Sequence, residues 1–182
     1  MSRVLFTILC LGLIACGGEV STQDVKMSEL TNYIEQSWML DGEELREITV
    51  WDENDQPIKV TNILKDSTLV LYVTTDMCSS CVMRQVGNIM ELSKEIGTDR
   101  IVVVVRDLKD IKNWFLYNEI ISANIKIVRS RLPILLSCPI FMPTCFIYEN
   151  GRAIKCYQTS KLVEELDLNY IHVVKKYYKN KV

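Results

Sequence analysis

Ile101-Val102-Val103-Val104-Val105 is an unbroken run of β-branched residues, and it leaves few folds open. A strand that is apolar at every position needs cover on both faces, the condition of a central strand in a layered sheet. Residues 68–75 form a second strand-forming run upstream, and Val82, Val86, Ile89, Met90, Ser93 and Ile96 recur between the two at helical spacing. Gly97 follows them, suited to a helix C-terminus because glycine accepts positive φ. Strand, helix and apolar strand in that order predict a right-handed parallel crossover. The expected class is α/β, a central mixed sheet flanked by helices.

The remaining pattern extends this unit in both directions. Asp107 or Asp110 can start a second helix carrying Ile111, Trp114, Phe115, Asn118 and Ile121, and residues 125–128 read as a short strand. Residues 129–142 look irregular, with Pro133 and Pro139. Residues 144–148 and 152–157 then flank Asn150-Gly151, a dipeptide that favours a two-residue hairpin turn. Ser160 can cap a last helix through Leu162, Val163, Leu166, Tyr170, Val173, Val174 and Tyr177, with Glu164 and Glu165 in its first turn and Lys175, Lys176 and Lys179 near its end. That charge order suits the helix dipole. Ahead of the crossover, Met27, Leu30, Ile34 and Trp38 predict a helix over 27–39, and residues 45–51 and 57–60 predict two short strands around an acidic turn.

Between the first strand and its helix stands Cys78-Ser79-Ser80-Cys81. Two thiols separated by two residues at a strand-to-helix junction can close and reopen a small disulfide. The first lies near a helix N-terminus, where backbone N–H groups and the dipole favour a negative sulfur, the reactive form. The duller use of such a pair is a structural disulfide. A closed zinc site would need two further ligands; Cys138 and Cys145 are too widely spaced for a second such pair, and His172 is the only histidine. His172 reads as an ordinary surface side chain. The net charge of −2 argues against a nucleic-acid partner.

The chain begins Met1-Ser2-Arg3, followed by an apolar stretch from Val4 to Ala15 and then Cys16. One positive charge, a short apolar segment and small residues at its end read as a secretory signal, too short to span a bilayer comfortably. Leu13-Ile14-Ala15-Cys16 resembles the bacterial lipobox, which implies cleavage before Cys16 and its lipidation. More than one acyl chain suffices for stable anchoring. The plainer alternative is an ordinary signal peptide with a chance cysteine. The expected organisation is a signal over 1–15, a lipid-anchored tether over 16–27 and one domain over 28–182. The place of work is then the bacterial cell envelope, facing the periplasm from the outer or inner membrane.

Together these features resemble the thioredoxin fold, and within it the TlpA-like extracytoplasmic thiol-disulfide oxidoreductase lipoproteins. The resemblance rests on the cysteine pair, on Met142-Pro143-Thr144 opening a later strand, and on the Asn-Gly hairpin beyond. It implies Cys78 as nucleophile, Cys81 as resolving thiol, a cis bond before Pro143, and Met142, Pro143 and Thr144 as substrate-binding residues. It implies thiol or disulfide proteins as partners and no dissociable cofactor; oligomeric state is left open. Three positions depart from it. Tyr72 stands where thioredoxins proper carry a buried acid, Met77 replaces a common tryptophan, and Asp76 adds a charge that opposes thiolate formation if it points inward. Ser79 and Ser80 replace Gly-Pro and can donate to a thiolate. These departures motivate the alternative of a non-catalytic module that keeps the fold for partner binding. A peroxidatic Pro-x-x-x-Thr-x-x-Cys setting does not precede Cys78.

Three further cysteines keep open readings. A two-residue turn at Asn150-Gly151 would set Cys145 opposite Cys156, either bridged or as two thiols packed as small apolar groups. Cys138, in the segment leading to Pro143, is either a third redox thiol or an idle loop cysteine.

Overall fold

The computed structural model of the chain describes residues 31, 34–35, 37–137, 142–159 and 164–181. Its elements are β1 (Thr49–Trp51), β2 (Pro57–Lys59), α1 (Val60–Ile63), β3 (Thr68–Thr74), α2 (Ser79–Ile96), β4 (Ile101–Arg106), α3 (Tyr117–Ser122), β5 (Lys126–Ser130), β6 (Thr144–Glu149), β7 (Arg152–Gln158) and α4 (Glu164–Lys179). Residues 37–40 are also helical. The strands form one sheet in the order β2-β1-β5-β4-β3-β6-β7. β3, β4 and β5 are parallel, while β6 runs antiparallel to β3, β7 to β6, and the β1–β2 hairpin to β5. The predicted crossover is β3-α2-β4.

Successive strand residues feed opposite faces. Leu69, Leu71, Val73, Val103 and Val105 meet Val82, Val86 and Ile89 of α2, Ile120 of α3, and Tyr170 and Val174 of α4 in a first core. Val70, Tyr72, Val102, Val104 and Phe146 face a second core. There the cover comes from Leu40, from Val60 and Ile63 of α1, and from Ile134 and Leu135 in an irregular stretch. Each such side chain contributes about 1.5–3 kcal/mol on burial, so both faces are needed. α2 ends where Gly97 adopts φ +93, its N–H bonded to the Ser93 carbonyl. A Cβ there would sit 2.7 Å from an Asp99 carboxylate oxygen.

Several expectations are corrected. The helix expected from Asp107 or Asp110 is broken. Asp110 accepts from the Lys112 N–H to cap a 3₁₀ turn, Ile111–Asn113; Trp114 is extended, and α3 starts only at Tyr117. Ile111 and Trp114, three residues apart, share a side of that turn and are both buried. Residues 45–48 are not strand: the Leu45 and Arg46 N–H groups go to Gly151 and Ile134 carbonyls instead of a ladder. In α4 the buried stripe is Asp167, Tyr170, Val174 and Tyr178, so the expected apolar face is rotated, and Val173 is exposed. Leu162 and Val163 of that helix, and its expected cap Ser160, lie outside the described residues.

The β6–β7 hairpin follows the expected register at first, with Glu149 opposite Arg152 and Ile147 opposite Ile154. A bulge then shifts it, and Cys145 pairs with Tyr157. Lys155, at φ +53, lies in the bulge. Cys145 therefore faces the first core while Cys156 packs against the second. The geometry for a Cys145–Cys156 bridge is absent, because the extra residue sends the two sulfurs to opposite faces. Among the described residues no helix is long and apolar enough to cross a membrane.

Candidate active site

Cys78 and Cys81 come to the C-terminal end of β3 for local reasons. β3 leaves the sheet at Thr74, and the chain folds back through a turn closed by the Met77 N–H on the Thr74 carbonyl, 3.3 Å. The Met77 sulfur accepts from the Thr74 N–H at 3.2 Å, and its side chain fills the first core. Met77 thus plugs the turn from below and aims the next residue outward. Cys78 is the N-cap of α2, with its carbonyl accepting the Val82 N–H at 3.0 Å. Its sulfur sits at the positive end of an 18-residue helix.

The two sulfurs differ in environment. Cys78 is partly exposed, and its Sγ lies 3.1 Å from the Ser80 hydroxyl. A thiolate can only accept, so Ser80 is a donor whenever Cys78 is ionised. Cys81, one turn into the helix, is 2% exposed. Asp76 is exposed and so spends its charge in solvent. This arrangement offers an accessible sulfur over a covered one, the division of labour that a nucleophile and a resolving thiol require.

Met142, Pro143 and Thr144 also reach this end of the sheet, since Thr144 pairs in register with Tyr72 of β3. All three are buried, and the Pro143 carbonyl accepts the Thr159 N–H at 3.0 Å. No peptide bond among the described residues is cis, so the Met142–Pro143 bond is trans, against the expectation. Trans is the preferred isomer even before proline, by about 0.5–1 kcal/mol, and only tertiary context reverses it. Cys138 and Cys16 lie outside the described residues. His172 is exposed.

Tyr72, at the position expected for a buried acid, is 1% exposed, and its phenol interacts with the Arg106 guanidinium on the neighbouring strand. Burial works against the Arg106 charge, but the phenol and the adjacent Asp107, 2.8 Å away, outweigh it and raise the guanidinium above its ordinary value. The buried carboxylate of this region comes from α4 instead. Asp167 Oδ1 accepts from Gln85 Nε2 at 2.7 Å and from the Tyr157 hydroxyl at 2.6 Å, and Oδ2 accepts from Arg84 Nε. Gln85 sits one turn beyond Cys81 on α2, and its Oε1 lies 3.7 Å from Cys145 Sγ. Burial first, then the Asp167 charge, push the Cys145 thiol well up, which makes it a poor nucleophile. The sequence carried a signal for Asp167 that the expected stripe overlooked: it lies three residues before Tyr170 and seven before Val174, on their face.

This arrangement of strands and helices is shared with proteins of known structure. A thiol:disulfide interchange protein from Bacteroides sp. superposes with a TM-score of 0.54 at 19% identity, over 76% of this chain and 90% of that one. The thioredoxin domain of a thiol-disulfide oxidoreductase from Bacteroides vulgatus gives 0.51 at 18% identity, over 76% and 97%. The fold is thioredoxin-like. A peroxidoxin from Mycobacterium tuberculosis also superposes, at 0.51 and 14% identity over 75% and 96%, so the thioredoxin-like scaffold does not by itself choose between exchange and peroxide reduction. No protein-family model matches the sequence, and no curated protein matches it.

Proposed function

We propose that the protein exchanges thiols and disulfides through Cys78 and Cys81. The observation that carries this is the contrast between a partly exposed helix-capping sulfur with a hydroxyl at 3.1 Å and a covered sulfur one turn on. In the reductive direction the Cys78 thiolate attacks a partner disulfide, forming a mixed disulfide and expelling one partner thiolate, which takes up a proton. Cys81, deprotonated, then attacks Cys78 Sγ, releasing the second partner thiol and leaving the Cys78–Cys81 disulfide. The oxidative direction is the reverse. The partners are thiol or disulfide proteins, and no dissociable cofactor enters either step. Met142, Pro143 and Thr144 would support a bound partner chain, which must first uncover them.

The test is trapping. Cys81→Ser should accumulate covalent adducts through Cys78 with an oxidised protein substrate such as insulin, resolved by dithiothreitol, and wild type should turn the substrate over. The trans Met142–Pro143 bond and the phenol at position 72 favour a second reading, a thioredoxin-like module that binds partners without turnover. No adduct and no insulin reduction would decide for it.

The leader, Cys16 and the tether rest on the sequence alone. The working place proposed for the domain over 28–182 is the envelope, periplasm-facing, held by lipidated Cys16 at the outer or inner membrane. Cys16→Ala should move the protein from the membrane pellet to the soluble fraction of the envelope. Persistence in the pellet would remove the anchor.

A further inference from the structure

A cleft of about 390 Å³ opens beside the carboxyl ends of β4 and β5, lined by Asp107, Leu108, Lys109, Arg129 and Arg131. Its position relates it to the cysteine pair. Arg106 pairs in register with Thr74, the last residue of β3, and with Ser130, the last of β5. The cleft therefore lies two strands over from the turn that presents Cys78, about 10 Å at ordinary strand spacing. It is also on the same face of the sheet. Arg129 is the register partner of Val105, and Val105 packs in one core with Val82 and Val86 of α2.

The charges in the cleft are unbalanced and held in place. The Arg129 and Arg131 guanidinium carbons lie 5.1 and 4.8 Å from the centre of the Trp51 ring. Arg129 spends its charge on Asp55 Oδ1, at 2.8 Å, and Arg106 spends its own on Asp107. Among the described residues Lys109 and Arg131 have no carboxylate partner, and both are exposed. The cleft's own lining thus carries three cations, Lys109, Arg129 and Arg131, and one carboxylate, Asp107, on a molecule whose net charge is −2. Asp110, the next acid along, is engaged by the Lys112 N–H and the Asn113 amide. Stacking on an aromatic ring pre-orients a guanidinium, whose fork then matches a carboxylate in two-point contact.

We propose that this cleft receives an acidic segment of the disulfide-bearing partner protein, placing the partner's cysteine over Cys78. The inference rests on the exchange reading above and adds the charge of the partner to it. Opposite charges beside a reactive group raise the encounter rate and fix the register of the incoming chain, with a strong dependence on salt.

Two measurements on the full domain separate the claims. The first uses a fluorescent peptide rich in Asp and Glu with serine at its centre, and a matched peptide with lysine at each acidic position. Anisotropy should show binding of the acidic peptide alone, weakened at least tenfold by Lys109→Glu with Arg131→Glu, and weakened again between 20 and 300 mM salt. Equal binding of the two peptides, or binding indifferent to the double substitution, overturns the proposal. The second places cysteine at the centre of each peptide, activated as a pyridyl disulfide, and follows mixed-disulfide formation in Cys81→Ser. The acidic peptide should react at least tenfold faster than its lysine counterpart, the double variant should abolish that preference, and the rate with uncharged dithiodipyridine should stay unchanged. A Cys78 inert even to dithiodipyridine overturns the exchange reading and the cleft's link to it, while the anisotropy still decides whether acidic chains bind there.

Discussion

Ser80 is the residue on which the chemistry of Cys78 most directly turns. A hydrogen bond to a charged acceptor is worth about 1.5–3 kcal/mol when shielded and less when solvent competes. Cys78 is only partly covered, so the Ser80 hydroxyl at 3.1 Å should stabilise its thiolate by roughly the lower end of that range. Ser80→Ala is expected to slow alkylation of Cys78 at neutral pH about threefold to tenfold, measured with iodoacetamide in the Cys81→Ser background, with the gap closing at high pH where every thiol is ionised. Identical profiles would show that the hydroxyl does not support the thiolate. That a serine would donate here was legible, but the sequence offered Ser79 and Ser80 alike, and the geometry of the first helical turn selects Ser80. The states of Cys145 and Cys156 were less so. Their register depends on one extra residue at Lys155, whose φ of +53 is unusual for a lysine and has no local sequence cue.

At the level of elements, α4 is tied to α2 by a polar contact inside an otherwise apolar layer. Asp167 is 2% exposed and takes hydrogen bonds from Arg84, Gln85 and Tyr157, while Tyr157 stacks on Tyr170 at 4.8 Å. Removing one partner of a buried ion pair ordinarily costs about 3–5 kcal/mol. Arg84 is 25% exposed on its side chain and can turn to water, so Asp167→Ala should cost somewhat less, about 2–3 kcal/mol, read as a lowered urea midpoint with an unchanged slope. A loss below 0.5 kcal/mol would mean that solvent already satisfies the cluster. The helix itself was visible in the sequence, but its buried face was misassigned because an acid among tyrosines reads as surface. The same difficulty broke the expected helix after β4: the three-residue spacing of Ile111 and Trp114 suits an α-helix and a 3₁₀ turn alike.

Across the whole molecule, the parallel strands gather the chemistry at one end and the fastenings at the other. The crossover, the Asn-Gly hairpin and the junction cysteines were legible because each has a periodicity or a turn residue that physics enforces. The cover of the second face was not, since Ile134 and Leu135 pack from an irregular stretch without period, and the isomer at Pro143 is set by tertiary context. At the far end from the cysteines, Glu149 closes β6 and holds the end of α4. It accepts from the Tyr177 hydroxyl at 2.6 Å and from Lys181 Nζ, while Tyr178 donates to the Ser67 carbonyl. The Lys181 hydrogen bond first, then that from Tyr177, hold the Glu149 carboxyl below its ordinary value. A depressed carboxyl stabilises the fold at any pH above the unfolded-state value, about 4.3, and that contribution disappears as pH falls through the lower, folded-state value. With Lys181 substantially exposed the pair is worth about 0.5–1 kcal/mol. Glu149→Gln should therefore lower the urea midpoint at pH 7 by that amount, and the gap between the two proteins should close as pH falls below the unfolded-state value and through the lower, folded-state one. Curves that stay parallel from pH 7 to pH 3 would assign the loss to packing and deny the ionised clamp.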